Sequence, residues 1–458
     1  MVRQHLFVTL SLPKTGGELV VASSATKQGA TAQESRGLKP DDIRFLAMEG
    51  GGGKGFAYLG ALGVLEELDV MDHIEGFSGA SAGAITAFLL SMGYTRTKLE
   101  KFLDTTDFNS FFDTPVSRSR PIVGGCQLVD DTVAERELID RLEQLPVGSE
   151  VLQRLLTAGV AGPLGQVLAI YLWSKRREVE RALADKASKP PLSLLLAHWP
   201  KYVAYLGRDM GLFAGCEARG LFDRLISERV PSAGAAPFRN LTFAEHSRAF
   251  GKVLLVTGAN LTTGRTQIFS AEETPEFPVA DAIRISMSLP FIYKPYIISK
   301  EVAGWPPCGT YVDGGLWNNL PFREFDSTPT VTPPTKSSAA RRSAAAAKPQ
   351  TLGLRLEITP SESVRDFGEL LGRVAGFGLF GTGETQVLSK YVDQMILLDT
   401  RGLDLIDFKP AKVDRDRAIL RARRATWRYF GFEVPVADRD PEDDAETERV
   451  FAKDRPCG

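Results

Sequence analysis

The sequence predicts an α/β fold built on a mostly parallel central sheet with helices on both faces. Two short apolar runs, 43–48 and 74–78, each lead into a glycine-rich turn and then into a segment with helical spacing. Strand-like texture returns at 252–257 and 351–358. Because strand–turn–helix units repeated in this order place their strands in parallel, the connecting helices cover the sheet.

The repeated units can be assigned from their apolar patterns. Ile43–Met48 and Ile74–Ser78 are short apolar runs that end near glycines, which is typical of buried strands. Phe56–Val70 has apolar residues at helical spacing and acidic residues late in the segment, so it predicts an amphipathic helix. Ala82–Met92 predicts a second helix, rich in Ala, Leu and Ile.

The same patterns predict further elements along the chain. We expect helices at Asp131–Leu145, Val279–Ser286 and Glu384–Met395. We expect strands at Lys252–Thr257, Thr266–Phe269, Thr310–Val312 and Thr351–Ile358.

Composition separates one main domain, 41–430, from peripheral segments. Residues 1–40 form an N-terminal extension whose short apolar run ends at Pro13, a weak match to a signal peptide. Residues 110–250, irregular and helical, predict a cap, and the Pro/Ser/Ala-rich residues 326–350 predict a surface loop. Acidic residues dominate 431–458, which we predict to be a solvated tail.

The most apolar stretch is Leu155–Trp173, which is followed by three basic residues. Its length is sufficient to span a membrane, but three glycines and Pro163 interrupt it. We interpret it as a buried helical part of the cap. A lid that touches lipid and a transmembrane helix are the alternatives.

Overall composition narrows the class of protein. Hydrophobic residues make up 43% and charged residues 24%, which is typical of a globular chain. The net charge of −2 gives no general attraction to nucleic acid or to anionic membranes. The four cysteines are scattered and predict unpaired thiols rather than disulfides or metal ligands: Cys126, Cys216, Cys308 and Cys457. No metal-binding pattern is present, so we expect neither a metal nor a cofactor.

The turn from Gly79 to Gly83 matches Gly-x-Ser-x-Gly and lies between a predicted strand and a predicted helix. In such a nucleophile elbow the tight turn exposes the serine, and the flanking glycines let neighbouring backbone approach. The positive end of the following helix also points at Ser81. Ser81 is therefore a candidate nucleophile.

The turn from Gly50 to Gly55 permits two interpretations. Gly50, Gly52 and Gly55 match the dinucleotide-binding pattern, with Glu67, Asp69 and Asp72 as candidate ribose-binding acids. Alternatively, the N–H groups of Gly51 and Gly52 form an oxyanion hole that no side chain obstructs. The second interpretation also gives Ser81 a role. Lys54 either adds positive charge there or faces solvent.

A serine nucleophile needs a base, and the histidine positions limit the choice. The four histidines are His5, His73, His198 and His246, so none follows Asp313, the best candidate acid. The order Ser, Asp, His of ordinary α/β-hydrolases cannot be completed with Asp313. A dyad in which Asp313, held before Gly314 and Gly315, takes the proton directly from Ser81 needs no histidine.

Together these motifs resemble the patatin-like phospholipase family. The family has a Gly-Gly-Gly-x-Arg/Lys-Gly turn, a Gly-x-Ser-x-Gly elbow and a later Asp-Gly-Gly/Ala, matched here by 50–55, 79–83 and 313–315. Further similarity lies in 282–290, in Asn318 and Asn319, and in Pro321. Glu49 stands where the family often has Asp. The resemblance implies a patatin-like variant of the α/β-hydrolase type, with 41–430 as the catalytic domain.

The resemblance also implies an activity and a set of site residues. The protein would be a lipid acyl hydrolase of the phospholipase A or lysophospholipase type, acting on phospholipid or another acyl lipid. Ser81 and Asp313 would be catalytic, and Gly51, Gly52 and Gly53 would form the oxyanion hole. Residues that support these motifs would be Gly50, Lys54, Gly55, Gly79, Gly83, Gly314 and Gly315.

The sequence also leads to expectations about binding partners, cellular location and competing functions. We expect transient contact with a membrane surface, no nucleic acid, and an activating partner or ligand whose identity is unknown. We expect a cytoplasmic protein with peripheral membrane association, with secretion as the alternative. The competing functions are a nucleotide-binding oxidoreductase and a catalytically silent lipid-binding or regulatory module.

Overall fold

The structure, a computed structural model, describes residues 37–113, 118–144, 198–230, 240–326, 350–357, 389–403, 407–440 and 443. These all belong to one compact unit, 35–458. Within the described residues the α-helices are α1 (Tyr58–Glu67), α2 (Val70–His73), α3 (Ala82–Ser91), α4 (Arg96–Thr105), α5 (Val133–Glu143), α6 (Trp199–Asp209), α7 (Cys216–Arg229), α8 (Phe243–Phe250), α9 (Val279–Ser286) and α10 (Lys412–Tyr429).

The strands in the same ranges are β1 (Ile43–Met48), β2 (Gly76–Gly79), β3 (Ser119–Ile122), β4 (Gly125–Leu128), β5 (Gly211–Phe213), β6 (Val253–Asn260), β7 (Arg265–Phe269), β8 (Phe291–Tyr293), β9 (Tyr296–Ile298), β10 (Gly309–Asp313), β11 (Gln350–Glu357) and β12 (Met395–Asp399). The main sheet has the order β12-β11-β1-β2-β6-β10-β9, and β7 also pairs with β6. The strands from β12 to β6 are mutually parallel, whereas β10, β9 and β7 are antiparallel to their neighbours. The predicted α/β fold with a mostly parallel sheet is confirmed.

Strand β1 is buried on both of its faces. Leu46 and Met48 belong to the largest hydrophobic cluster, whereas Phe45 and Ala47 belong to two smaller clusters. Because alternate residues of a strand point to opposite faces, apolar groups must cover both sides of the sheet here. Helices supply much of this cover, since α1 packs against α10, and α3 packs against β2, β1 and β6.

Strands β2 and β10 approach each other along one edge of β6. Val256 of β6 pairs with Gly79 of β2 and also with Phe269 of β7, so β2 and β7 occupy opposite edges. Two residues later, Gly258 pairs with Asp313 of β10 on the edge away from β7. The ends of β2 and β10 therefore face each other, which brings the segments after Gly79 and Asp313 together.

The described part of the cap is held by a disulfide that the sequence analysis did not predict. Cys126 of β4 is bonded to Cys216 at the start of α7, with the two Cα atoms 6.0 Å apart. The prediction of unpaired thiols is therefore wrong for these two residues. Their separation in the chain hid the pairing, because only the folded cap brings the β3–β4 hairpin to α7. Cys308 is a free thiol, as predicted.

Two predictions near the C-terminus are also wrong. Residues 389–394 form a short 3-10 helix followed by strand β12, where the sequence pattern indicated a continuous helix over 384–395. The acidic residues Asp438 and Asp443 are buried rather than solvated. Their carboxylates accept hydrogen bonds from arginine side chains of α10, among them Arg421 and Arg423, so their charge is used inside the fold.

The described residues contain no helix long and apolar enough to cross a membrane. The apolar stretch 155–173 lies outside the described residues, as do 1–36, 327–349 and most of the acidic tail.

Candidate active site

Ser81 lies in a strained turn between β2 and α3. Its backbone has φ +50° and ψ −121°, a conformation that residues other than glycine rarely adopt. A Cβ atom added at Gly79 would overlap the backbone of Gly83, and one added at Gly83 would overlap the carbonyl group of Met48. Both flanking glycines are therefore required by close backbone approach, as the elbow pattern predicts.

The glycine turn after β1 lies directly beside this serine. Gly50 is buried, and a Cβ atom there would be 3.0 Å from the Ser81 Cβ atom. The Gly50 N–H donates to the Asn319 carbonyl oxygen (2.9 Å), and the Asn319 side-chain amide donates to the Gly50 carbonyl oxygen (3.1 Å). This double contact fixes the start of the turn.

The middle of the turn contains backbone N–H groups without acceptors. Gly52 has φ +53°, and a 3-10 helix runs from Gly52 to Ala57. Within the described part of the chain, the N–H groups of Gly51, Gly52 and Gly53 have no hydrogen-bond partner. Such a row of N–H groups, with no acceptor in the protein, can donate hydrogen bonds to a substrate oxygen.

Asp313 ends β10 and is buried. The Gly315 N–H donates to its Oδ1 atom (2.7 Å), whereas Oδ2 is buried without a hydrogen-bond partner among the described residues. A Cβ atom at Gly314 would overlap Thr257 of β6, so this glycine lets the turn pack closely on the sheet. The carboxylate is thus fixed at one oxygen and unsatisfied at the other.

The structure brings Ser81 and Asp313 together. Burial raises the pKa of Asp313 to about 7, and the Gly315 amide and the nearby Ser81 hydroxyl lower that pKa by less. One oxygen of the carboxylate, Oδ2, is left without a hydrogen-bond partner among the described residues. An unpaired carboxylate with a pKa near neutrality can act as a base.

The end of α9 and the residues that follow it support both Ser81 and Asp313. The Ser81 N–H donates to the Ser286 hydroxyl (3.0 Å), and the Asp313 N–H donates to the Ser288 carbonyl oxygen (2.9 Å). Both serines lie in the motif at 282–290, but the sequence alone indicates no role for either of them. Only the folded structure reveals it, because these contacts join segments far apart in the chain.

Glu49 is a further titratable group of the site. Its Oε2 atom accepts a hydrogen bond from the Leu356 N–H (2.6 Å), and its Oε1 atom lies 3.5 Å from the Asn319 side-chain amide. Burial raises the pKa of Glu49 to about 7, opposed by the positive charges of Arg355 and Lys54 and by these hydrogen bonds. The carboxylate therefore connects the glycine turn, β11 and the segment after Asp313.

Comparison with known families assigns the fold. The model of the family described as patatin-like phospholipase matches residues 46–326, more than half of the chain, and covers all three motifs. The chain belongs to the patatin-like phospholipase family. Its site thus has the arrangement of motifs that the sequence analysis expected of a patatin-like chain.

Individual relatives are more distant. A probable lipid hydrolase of Invertebrate iridescent virus 6 is 34% identical over 84 residues, 18% of this chain and 26% of the relative. An uncharacterized protein of Acanthamoeba polyphaga mimivirus is 22% identical over 291 residues, 63% of each chain. The chain thus spans less than two thirds of the length of both relatives.

Two solved structures that match the chain come from Legionella pneumophila and Pseudomonas aeruginosa. VipD from Legionella pneumophila is 17% identical, with a TM-score of 0.43 over 90% of this chain and 74% of that chain. ExoU from the type III secretion system of Pseudomonas aeruginosa, solved in complex with SpcU, is 20% identical, with a TM-score of 0.35 over 91% of this chain and 62% of that chain.

No histidine among the described residues contacts Ser81. His246 is buried, and its Nε2 atom lies 2.9 Å from the hydroxyl of Ser91, at the far end of α3. Burial lowers the pKa of His246 to about 4, so this ring is neutral at pH 7. His5 lies outside the described residues.

The alternative dinucleotide site has little support in this patatin-like chain. Of its three candidate acids, Glu67 forms an ion pair with Arg423 of α10 (2.7 Å). Asp69 has positive φ and precedes the short helix α2. Among the described residues, no group of three His, Cys, Asp or Glu side chains could hold a metal ion.

Proposed function

We propose that this protein hydrolyses fatty acyl esters of phospholipids or lysophospholipids, with Ser81 as the nucleophile and Asp313 as its base. The observation that carries this proposal is the buried carboxylate of Asp313, with one oxygen unpaired, close to the hydroxyl of a serine held in a strained elbow. Membership of the patatin-like family supports lipid as the substrate class.

In the first step the Ser81 Oγ atom attacks the carbonyl carbon of the ester, and its proton passes to Asp313. The carbonyl oxygen becomes an oxyanion, which the N–H groups of Gly51, Gly52 and Gly53 stabilise. The bond from the carbonyl carbon to the alcohol oxygen then breaks. Asp313 returns its proton to that oxygen, so that the lysophospholipid or glycerophosphodiester product leaves and the acyl group stays on Ser81.

In the second step water replaces the alcohol. Asp313 takes a proton from a water molecule while the water oxygen attacks the acyl carbon, and the same amides hold the oxyanion. The ester bond to Ser81 breaks, and the proton on Asp313 passes to the serine oxygen. The fatty acid leaves, and both side chains return to their initial states.

The environment of Asp313 suits both steps. In bulk water an aspartate is too weak a base for a serine hydroxyl, whereas burial raises the pKa of Asp313 to about 7. Because the following turn places the Gly315 N–H on Oδ1, the carboxylate is fixed at that oxygen, and the unpaired Oδ2 is left to accept the proton. We further propose a cytoplasmic protein that meets its substrate by transient contact with a membrane.

The test compares wild-type protein with Ser81→Ala and Asp313→Asn on mixed phospholipid vesicles, with released lipids identified by mass spectrometry. We expect fatty acid release by the wild type and a loss of at least about a thousandfold in each variant. A fluorophosphonate probe should label the wild type but not Ser81→Ala. Release at the wild-type rate by both variants would refute the dyad, and no release by any of them would indicate a silent lipid-binding module.

A further inference from the structure

We propose that a surface formed by Phe291 and by the cap residues Ile122, Met210, Arg120 and Arg208 docks this protein onto an anionic lipid bilayer. We call it the docking surface. The inference rests on the proposed lipid hydrolase function and names the surface through which the site reaches its substrate.

Two apolar residues of the docking surface each have an unfavourable backbone conformation. Strands β5 and β8 pair with Gly211 opposite Phe291, so Met210 lies one position before the residue that pairs with Phe291. Met210 is 40% exposed with φ +56°, and Phe291 is 43% exposed with φ +70°. Positive φ is costly for both residue types, and such strain is retained chiefly at functional positions. Here the strain presents two large apolar side chains to solvent.

Two exposed arginines flank this pair. Arg208 and Met210 precede and follow the buried Asp209, and the Arg120 side chain donates to Asp209 Oδ1 (2.7 Å). The side chains of Arg120 and Arg208 remain 33% and 44% exposed. Their guanidinium groups are therefore tied to the protein and also open to solvent, where a lipid phosphate can approach.

A third apolar residue lies on the same side of β3 as Arg120. Ile122 follows Arg120 by two positions, so both side chains point to the same face of the strand. Ile122 is 41% exposed. Apolar side chains bordered by arginines match the interfacial region of a bilayer, where acyl chains begin beneath charged head groups.

The charge balance of the underlying network favours an anionic surface. Its described cations are Arg118, Arg120, Arg208 and Lys294, which bind the carboxylates of Asp209 and Glu135. A third carboxylate, Asp131, interacts with Tyr205 at the side of the network. The cations still outnumber the described carboxylates, so the exposed arginines are not neutralised by the protein alone.

The docking surface is joined to the candidate active site by a short segment of chain. The Ser286 hydroxyl accepts a hydrogen bond from the Ser81 N–H, and the Ser288 carbonyl oxygen accepts one from the Asp313 N–H, just before the chain reaches Phe291. Phe291 follows Ser286 by five positions, so their Cα atoms lie at most about 18 Å apart. Docking through Phe291 would therefore bring the bilayer close to the catalytic serine.

Binding can be measured without hydrolysis by using Ser81→Ala protein and flotation with phosphatidylcholine vesicles, with and without phosphatidylserine. The added substitutions are Met210→Asn and Phe291→Asn, because asparagine tolerates positive φ and keeps the turn folded. We expect each to lower the vesicle partition coefficient roughly tenfold. Arg208→Gln should lower it roughly fivefold on the phosphatidylserine vesicles only. Val413→Ser, an exposed apolar position on α10, is the matched control and should bind as the parent does.

A second readout separates docking from catalysis. With Ser81 intact, we expect Phe291→Asn to lower the ratio of kcat/KM on vesicles to kcat/KM on a soluble ester by the same factor as its binding. Parental vesicle binding by both Met210→Asn and Phe291→Asn, with melting temperatures unchanged, would overturn the inference. If the wild type binds vesicles through this surface but releases no fatty acid, the docking surface stands and the hydrolase proposal fails.

Discussion

Asp313, at the end of β10, faces the hydroxyl of Ser81, in the turn after β2, because these strands approach each other along one edge of β6. The register of β6 fixes this meeting, since Gly79 and Asp313 pair with residues only two positions apart. Where an ordinary triad has a histidine, this site has a direct approach of carboxylate to hydroxyl. In the proposed mechanism the chemistry depends on one carboxylate, so the ionisation of that group should control the rate.

The rate of hydrolysis should depend on pH through Asp313. Burial raises the pKa of Asp313 to about 7, and only the ionised carboxylate can accept the serine proton. We expect kcat/KM on a soluble ester to rise about tenfold per pH unit below pH 7 and to level off above it. A stopped assay from about pH 5 to pH 9 measures this. A flat profile over that range would contradict the role of Asp313 as base.

Glu49 titrates in the same range and must be separated from Asp313. In Glu49→Gln, one of the two donors at this side chain, the Leu356 N–H or the Asn319 amide, meets an NH2 group instead of an oxygen. We expect kcat to fall about tenfold through displacement of the glycine turn, with little change in KM. The midpoint of the pH profile should remain near 7. Loss of that midpoint would show that Glu49, rather than Asp313, controls the rate.

The strain at Ser81 can be measured as stability. Its φ of +50° is unfavourable for alanine but not for glycine, although glycine usually destabilises a protein relative to alanine. We therefore expect Ser81→Gly to be more stable than Ser81→Ala by about 1 kcal/mol in chemical denaturation. Both variants should be inactive. If Ser81→Ala is the more stable of the two, the elbow is not strained.

The glycines of the motifs should differ in their tolerance of a methyl group. Gly83→Ala would press its Cβ atom into the Met48 carbonyl group, so we expect a loss of roughly 3 kcal/mol or a failure to fold. At Gly55 the nearest atom to an added Cβ atom is the Ala82 Cβ atom, 3.5 Å away, an ordinary contact. Gly55→Ala is therefore the matched control and should melt within a few degrees of the wild type. Equal melting temperatures for the two variants would contradict the packing described at the elbow.

Much of this fold could be predicted from sequence because the elements around the two glycine turns have clear local sequence patterns. The patterns of β1, β2, α1 and α3 lie in one continuous segment, and the two glycine turns fall where these elements join. Helix α9 was predicted at its observed bounds, Val279–Ser286, since its apolar spacing is regular. These elements carry their periodicity within their own residues, and no distant contact is needed to read it.

Other features depend on contacts that no local pattern reveals. The disulfide between Cys126 and Cys216 requires a folded cap. Asp438 and Asp443 look like part of a solvated acidic tail until α10 supplies arginines that bind them. Strand β12 gains its identity from pairing with β11, so its apolar residues alone were compatible with a helix. The role of Asn319 likewise appears only when its side chain meets Gly50.

The most direct measurement of the central claim is trapping of the acyl-enzyme. Wild-type protein is mixed with a soluble nitrophenyl ester and quenched in acid within one turnover, and its peptides are mapped by mass spectrometry. We predict an acyl group on the peptide that carries Ser81, and acylation about a thousandfold slower in Asp313→Asn. An acyl group on another residue, or acylation of Asp313→Asn at the wild-type rate, would contradict the serine–aspartate dyad.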